Sequence, residues 1–319
     1  MLHIASWKRI AAKIAIAATA VFATGAEAAL LAYDSFGIGP GQYLAGNDAT
    51  NTNVLGGQNP SIGPTPFYNG GWIQSGGDAQ AVVGGSLSYP LFPNAGGRVA
   101  DSLQFSCCSF GRDGREISGG LGGGRNAQTI YQSFLIDFGT QGTDDPTQFG
   151  FRGYEMWNGG VGDTFKVVDV LVNHFEGISQ LTLRVTTPSG TQTDLVGGGM
   201  TLDDLAGTHL LVVKFDFNAG SADIVTLYMD PTDSIEGNYA PVAQVAVAAS
   251  DLFITHHGTL SNFTFSGAGH IPGSFDEVRW GDTFADVTPF LTADVPVPAT
   301  LALIPIALFG MAIARRRRS

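Results

Sequence analysis

The sequence predicts an all-β fold, an antiparallel sandwich over residues 29–292 set between two apolar termini. Three observations predict it. Short segments alternate apolar and polar residues with period two, turn-forming clusters separate them, and helical periodicity is nearly absent. Of 319 residues, 44% are hydrophobic and 14% charged, well below the roughly 25% charged of an ordinary globular chain. That composition supplies a core and is too apolar for a disordered chain. The 44 glycines follow no three-residue period, which excludes a collagen-like chain.

Residues 1–28 read as a signal peptide. Lys8, Arg9 and Lys13 form a basic start, Ile14 to Phe22 an apolar run, and Ala26-Glu27-Ala28 a small-x-small cleavage site. The strand candidates follow. They are Tyr131 to Phe138, Val167 to Val172, Leu181 to Thr187, Leu211 to Phe217, Ile224 to Met229 and Phe275 to Trp280. Turn formers stand between them at Gly122–Gly124, Pro188-Ser-Gly190, Gly197–Gly199 and Asn218-Ala-Gly220. One helical turn is expected at Thr201 to Leu205. Arg112, Asp113, Arg115 and Glu116, with the glycines from 119 to 124, read as a long mobile loop. Many short strands and no repeat of 20–50 residues favour one sandwich over a propeller or solenoid.

Residues 293–319 form a second export device. Val295-Pro296-Val297-Pro298 leads into an apolar run from Leu301 to Ala314, then Arg315, Arg316, Arg317 and Arg318. Sixteen residues from Ala299 to Ala314 span about 24 Å as a helix, near the ~30 Å hydrocarbon core, and snorkelling arginines cover the difference. Under the positive-inside rule the arginines stay cytoplasmic and the preceding chain lies outside. The ends therefore carry positive charge. Between them, Ala29 to Asp294 holds 27 acidic against 9 basic residues, a net charge of −18. So acidic a domain excludes nucleic acid as partner and favours neutral or cationic polymers and divalent cations.

The tripartite tail resembles the PEP-CTERM sorting signal of Gram-negative bacteria, with Val297 in place of the middle Glu. The resemblance implies processing by an exosortase, a transient inner-membrane anchor, and delivery to the cell surface or the extracellular space. A second resemblance covers about residues 31–291. Tyr33-Asp-Ser-Phe36, Gly70-Gly-Trp72, Tyr131-Gln-Ser-Phe134, Leu227-Tyr-Met-Asp-Pro231 and Phe275-Asp-Glu-Val-Arg-Trp-Gly281 with Ala285-Asp-Val-Thr-Pro289 look like concanavalin A-like (laminin-G-like) jelly rolls. In that fold the last motif closes the domain beside the N-terminal strand.

The enzymatic option nearest to the fold this resemblance implies is glycoside hydrolysis, which needs two carboxylates flanking the bond. The one-strand pattern Glu-x-Asp-x-x-Glu is absent, and the domain has five Glu: 116, 155, 176, 236 and 277. Asp276 and Glu277 are strand neighbours, so they face opposite ways, and Glu277 is expected to pair with Arg279. His256 and His257 would diverge on a strand, while in a loop the pair could catch a metal. No zinc spacing and no Gly-x-Ser-x-Gly elbow occurs. Cys107 and Cys108, the only cysteines, leave open a vicinal disulfide, two thiols or one intermolecular bridge. Asp230 and Asp233 are the candidate Ca²⁺ ligands, against a solvated-turn role. Trp72, Tyr154 and Trp157 are the candidates for stacking on sugar rings, against burial in the core. No catalytic residue is assigned. The expected function is an exported, non-enzymatic surface or extracellular-matrix protein that binds glycan or packs into extracellular polysaccharide. The alternative is a secreted polysaccharide-active hydrolase or lyase of jelly-roll fold.

Overall fold

The computed structural model describes residues 30–291, apart from 41, 47–53, 61–66, 77–79, 94–95, 101–110, 123–126, 139–149, 163–165, 176–177, 188–191, 197–202, 248–251 and 261–272. In chain order its strands begin with β1 (Leu30–Asp34), β2 (Tyr68–Gly76), β3 (Ala81–Gly84), β4 (Gly97–Ala100) and β5 (Gly111–Gly122). Next come β6 (Gln128–Asp137), β7 (Gly150–Trp157), β8 (Lys166–Phe175), β9 (Ile178–Thr186) and β10 (Gln192–Val196). The last five are β11 (Thr208–Phe217), β12 (Asp223–Met229), β13 (Ala243–Val247), β14 (Phe253–Leu260) and β15 (Ser274–Gly281).

All named pairings are antiparallel and they build two sheets. One has eight strands in the order β13-β12-β11-β6-β15-β4-β3. Its eighth strand, β1, lies along the end of β15, with Tyr33 opposite Arg279, while β4 covers the start of β15, with Phe275 opposite Val99. The closing strand thus sits beside the N-terminal one. The second sheet has seven strands, ordered β10-β9-β8-β7-β14-β5-β2.

Period-two alternation puts apolar residues of both sheets into one core. From β11 come Leu211, Val213, Phe215 and Phe217, and from β8 Val168, Val170 and Val172. Across the interface Phe134 of β6 stacks on Tyr154 of β7 at 4.5 Å between centroids. Each such large apolar side chain contributes about 1.5–3 kcal/mol by leaving water. The outward face of the eight-stranded sheet is also apolar. Tyr131, Leu135, Leu210, Val212 and Tyr228 are covered there by Leu87, Tyr89, Phe92 and a helical turn α1 (Phe284–Val287). A capping box starts α1, since Thr283 Oγ1 accepts from Asp286 N and Asp286 Oδ2 from Thr283 N. What remains for chemistry is the outward face of the seven-stranded sheet.

All six strand candidates are strands, and a 3₁₀ turn occupies Asp203–Leu205. The expectation of a mobile loop starting at Arg112 was wrong. Residues 112–122 belong to β5, inside the seven-stranded sheet, and Glu155-Met156-Trp157 completes β7. Charged residues and glycines lower β-propensity, but partners on both faces of β5 override it. At Gly122, φ is +80° and an added Cβ would lie 2.3 Å from the Leu252 carbonyl oxygen, so the strand needs glycine there. The signal peptide, the sorting tail with Pro296, Val297, Pro298 and Arg315–Arg318, and Cys107–Cys108 lie outside the described residues. No helix among the described residues is long and apolar enough to cross a membrane.

Candidate functional site

One row of residues crosses the outward face of the seven-stranded sheet in register. Arg184 of β9 stands opposite Asp169 of β8, Asp169 opposite Glu155 of β7, Glu155 opposite Gly258 of β14, and Gly258 opposite Gly114 of β5. Tyr154 and Met156 point into the core, so Glu155 points out, and Asp169 does likewise between Val168 and Val170. Two carboxylates thus stand side by side on neighbouring strands, in an otherwise apolar stretch.

Cations surround them. Arg112 Nε donates to Glu155 Oε2 at 2.5 Å, and Lys166 Nζ lies 3.0 Å from Glu155 Oε1 and 3.8 Å from Asp169 Oδ2. Arg112 sits two strands from Glu155; its partner on the intervening β14 is Leu260, and Gly258, the β14 residue opposite Glu155, carries no side chain. The glycine is required on packing grounds: a Cβ at 258 would fall 2.0 Å from the Asp113 carbonyl oxygen. Next to this, Trp157 and Val161 lie over Gly114, whose added Cβ would meet the indole at 2.9 Å.

Both carboxylates are wholly buried. Neither oxygen of Asp169 has a hydrogen-bond partner among the described residues. Burial first, then the charge of Glu155, push its carboxyl up to about 8, against the pull of Lys166, Arg184 and Arg112. Asp169 is thus pushed toward its protonated form, next to a Glu155 held by Arg112 and Lys166. A protonated acid beside an oriented carboxylate is the composition of an acid–base pair.

The sequence-predicted candidates fall elsewhere or play other parts. Trp72 and Tyr154 lie between the sheets. The Trp72 indole donates to Tyr43 Oη at 2.7 Å, and Tyr154 bonds His257 Nδ1. Trp157 is on the outward face beside Glu155 but fully buried, lying with Val161 over Gly114. Asp230 accepts from Leu210 N and faces His209 Nδ1 at 2.8 Å. Asp233 accepts from Ile235 N and Asn238 Nδ2, and these two bonds hold its carboxyl below the usual range. The Asp233 oxygens close a turn and those of Asp230 tie to β11, and no group of three His, Cys, Asp or Glu among the described residues is arranged to hold a metal ion. Glu277 pairs with Arg279 at 3.0 Å. His257 faces the core and His256 the opposite side, with burial holding both pKa values down.

Sequence reasoning missed the Glu155–Asp169 pair because it sought two acids on one strand. The pair is fourteen residues apart along the chain and adjacent only through β-pairing. The available signal was a lone acid in each of two apolar strands, Tyr154-Glu-Met156 and Val168-Asp-Val170.

No family model matches the chain, and no curated protein matches it significantly. Similar solved structures include the endo-β-1,4-glucuronan lyase of the fungus Trichoderma reesei, with 13% identity and a TM-score of 0.42 over 67% of this chain and 91% of that one. An endo-1,3-β-glucanase from Streptomyces sioyaensis aligns with 12% identity and a TM-score of 0.36 over 81% and 98%. The receptor-binding domain of the botulinum neurotoxin C/D mosaic serotype gives 7% identity and 0.42 over 76% and 51%. Likeness this remote transfers no activity, so function rests on the site.

Proposed function

We propose that this chain is an exported jelly-roll β-sandwich of concanavalin A-like type that hydrolyses a neutral polysaccharide at the Glu155–Asp169 pair. The observation that carries the reading is the cross-strand dyad itself, Asp169 opposite Glu155, with Glu155 held by Arg112 and Lys166 and burial pushing the Asp169 carboxyl up. In the reaction Asp169 gives its proton to the leaving glycosidic oxygen as the Glu155 carboxylate bonds to the sugar carbon and the glycosidic C–O bond breaks. The Asp169 carboxylate then takes a proton from water, whose oxygen displaces Glu155 and releases the sugar. Directly opposed residues on antiparallel strands have Cβ atoms about 4.5–5.5 Å apart. The net charge of −18 between the two export segments favours a neutral glycan over a uronate polymer. This departs from the non-enzymatic expectation drawn from the sequence.

A second reading is favoured by one observation: both carboxylates are fully buried and Glu155 is ion-paired on both oxygens. A structural charge cluster has the same form. The protein is then a glycan-binding or matrix component of extracellular polymer. Incubating the protein with a panel of neutral and uronic-acid polysaccharides separates the readings. New reducing ends from a neutral glycan support hydrolysis, unsaturated products from a uronate polymer support a lyase, and retention without turnover supports the binding role.

Export is the remaining part of the proposal. The signal peptide, the Pro296-Val297-Pro298 tail and Arg315–Arg318 support transit through the inner membrane, exosortase processing and release to the surface of a Gram-negative cell. Calcium at Asp230 and Asp233 has no part in it.

A further inference from the structure

Three chain segments that cover the outward face of the eight-stranded sheet are tied to one another. Tyr89 Oη donates to the Pro231 carbonyl oxygen at 3.2 Å, Ser234 Oγ donates to that of Thr288, and Leu291 N donates to that of Leu91 at 2.7 Å. Phe290 packs on Phe92 at 5.7 Å between centroids and on Tyr89 at 6.4 Å. Each segment presents one large aliphatic side chain to solvent: Leu91 is 54% exposed, Ile235 61% and Leu291 57%. Three of the seven exposed large hydrophobics among the described residues thus gather around one knot of chain.

Leu91 is there at a conformational cost. Phe92 N donates to the Tyr89 carbonyl oxygen at 3.1 Å, closing a turn in which Leu91 follows Pro90 with φ +58°. Glycine or asparagine is what such a position favours. A leucine held in that conformation and turned to water loses stability on both counts, the mark of a functional constraint. The surround decides what kind of surface this is. Segments 86–92 and 288–291 hold no charged residue, and 231–236 holds Asp233 and Glu236 but no Lys or Arg. Asp233 closes its own turn, and Glu236 accepts from Tyr131 Oη and Tyr228 Oη. An apolar patch without a basic rim suits zwitterionic lipid rather than anionic headgroups.

The chain itself leads from this patch toward a membrane. Leu291 belongs to the patch and lies two residues before the tail, residues 293–319, proposed above as an anchor. Leu301, the start of the apolar run, is ten residues on from Leu291, and ten residues reach about 36 Å at most. The patch is therefore held near any bilayer that the tail enters. So short a tether keeps it at an effective concentration on the order of millimolar against that surface, and three side chains need not bind lipid unaided.

We infer that Leu91, Ile235 and Leu291 seat the domain on the zwitterionic lipid surface beside its own anchor, with the eight-stranded sheet toward the bilayer. The three side chains enter the boundary between headgroups and acyl chains, as apolar faces do at membrane interfaces. The outward face of the seven-stranded sheet, with Glu155 and Asp169, then faces away from the lipid. The inference rests on the proposed anchor and is independent of any activity at the carboxylate pair.

The test uses the full chain in phosphatidylcholine vesicles, with Cys107→Ser and Cys108→Ser and one cysteine introduced for an environment-sensitive fluorophore. Ile235→Cys puts the label in the patch, and Ile73→Cys puts it on the outward face of the other sheet. Lipid brominated on its acyl chains is expected to quench the label at 235 at least twofold and to leave the label at 73 unchanged. Adding Leu91→Ser and Leu291→Ser is expected to abolish the quenching at 235 while alkaline carbonate still leaves the chain in the vesicles. Equal quenching at 235 and 73, none at either, or quenching that survives the serine substitutions overturns the inference and leaves the anchor standing. A blue-shifted label at 235 that bromine does not quench means that a second copy covers the patch, which overturns it as well. A chain that carbonate strips from the vesicles removes the anchor, and the inference with it. If the labelled chain does not fold, hydrogen exchange of the unlabelled parent decides. Residues 231–236 are expected to exchange more slowly in the parent than in its Leu91→Ser, Leu291→Ser variant, both in vesicles, and equal rates overturn the inference.

Discussion

Asp113 gives the sharpest stability prediction. It lies on the inward face of β5, wholly buried, with Oδ2 accepting from Gln80 N at 3.3 Å. Burial raises its carboxyl to about 8, against the smaller opposing effect of the backbone N–H groups of Gln80 and Gly56. The unfolded chain holds the same group near 3.9. Between those values the folded state binds a proton that the unfolded state lacks, so stability falls as pH rises from about 4 to about 8 and is level below and above. Each unit of that window is about 1.4 kcal/mol. The replacement Asp113→Asn keeps an acceptor for Gln80 and cannot ionise. Its stability advantage over the parent is therefore expected to grow by up to about 4 kcal/mol between pH 5 and pH 8. Urea unfolding of both proteins at the two pH values measures this, and the difference between the proteins cancels the general repulsion of an acidic chain. An advantage of equal size at both pH values would refute the reasoning.

Three further outcomes follow from the same geometry. Replacing Arg112 with Met strips one cation from a buried carboxylate and is expected to cost about 3 kcal/mol in urea melts, while Glu155→Gln in the same background restores part of it. Ala at Gly258 puts a methyl 2.0 Å from the Asp113 carbonyl oxygen and is expected to lower the melting temperature by ten degrees or more, or to abolish cooperative unfolding. Deleting residues 293–319 is expected to move the protein from the membrane fraction to the soluble one in cell fractionation, and unchanged partitioning would remove the anchor from the account.

The fold was legible where period-two alternation is strong. Leu211 to Phe217 and Val167 to Val172 declare themselves because one face of each is continuous apolar surface. It was not legible in β5, whose sequence Gly-Arg-Asp-Gly-Arg-Glu places charge on both faces. That strand is stable because Arg112 finds Glu155 outward and Arg115 finds the Gly70 carbonyl inward, both contacts made by distant chain. The candidate site was hidden for the same reason. The neighbourhood of Glu155 and Asp169 is a product of antiparallel register, and spacing along the chain carries no trace of it. By contrast, the Glu277–Arg279 pair needed only strand alternation and could be read in advance.

The most direct test of the account is the rate at which reducing ends appear when the protein meets a neutral polysaccharide, compared with Asp169→Asn and Glu155→Gln proteins that retain the parent's fold. The account predicts turnover by the parent and a loss of at least 100-fold in each variant, the scale on which acid–base groups act. Turnover unchanged by both substitutions, or absent from the parent on every neutral glycan, would contradict a hydrolytic role for the Glu155–Asp169 pair.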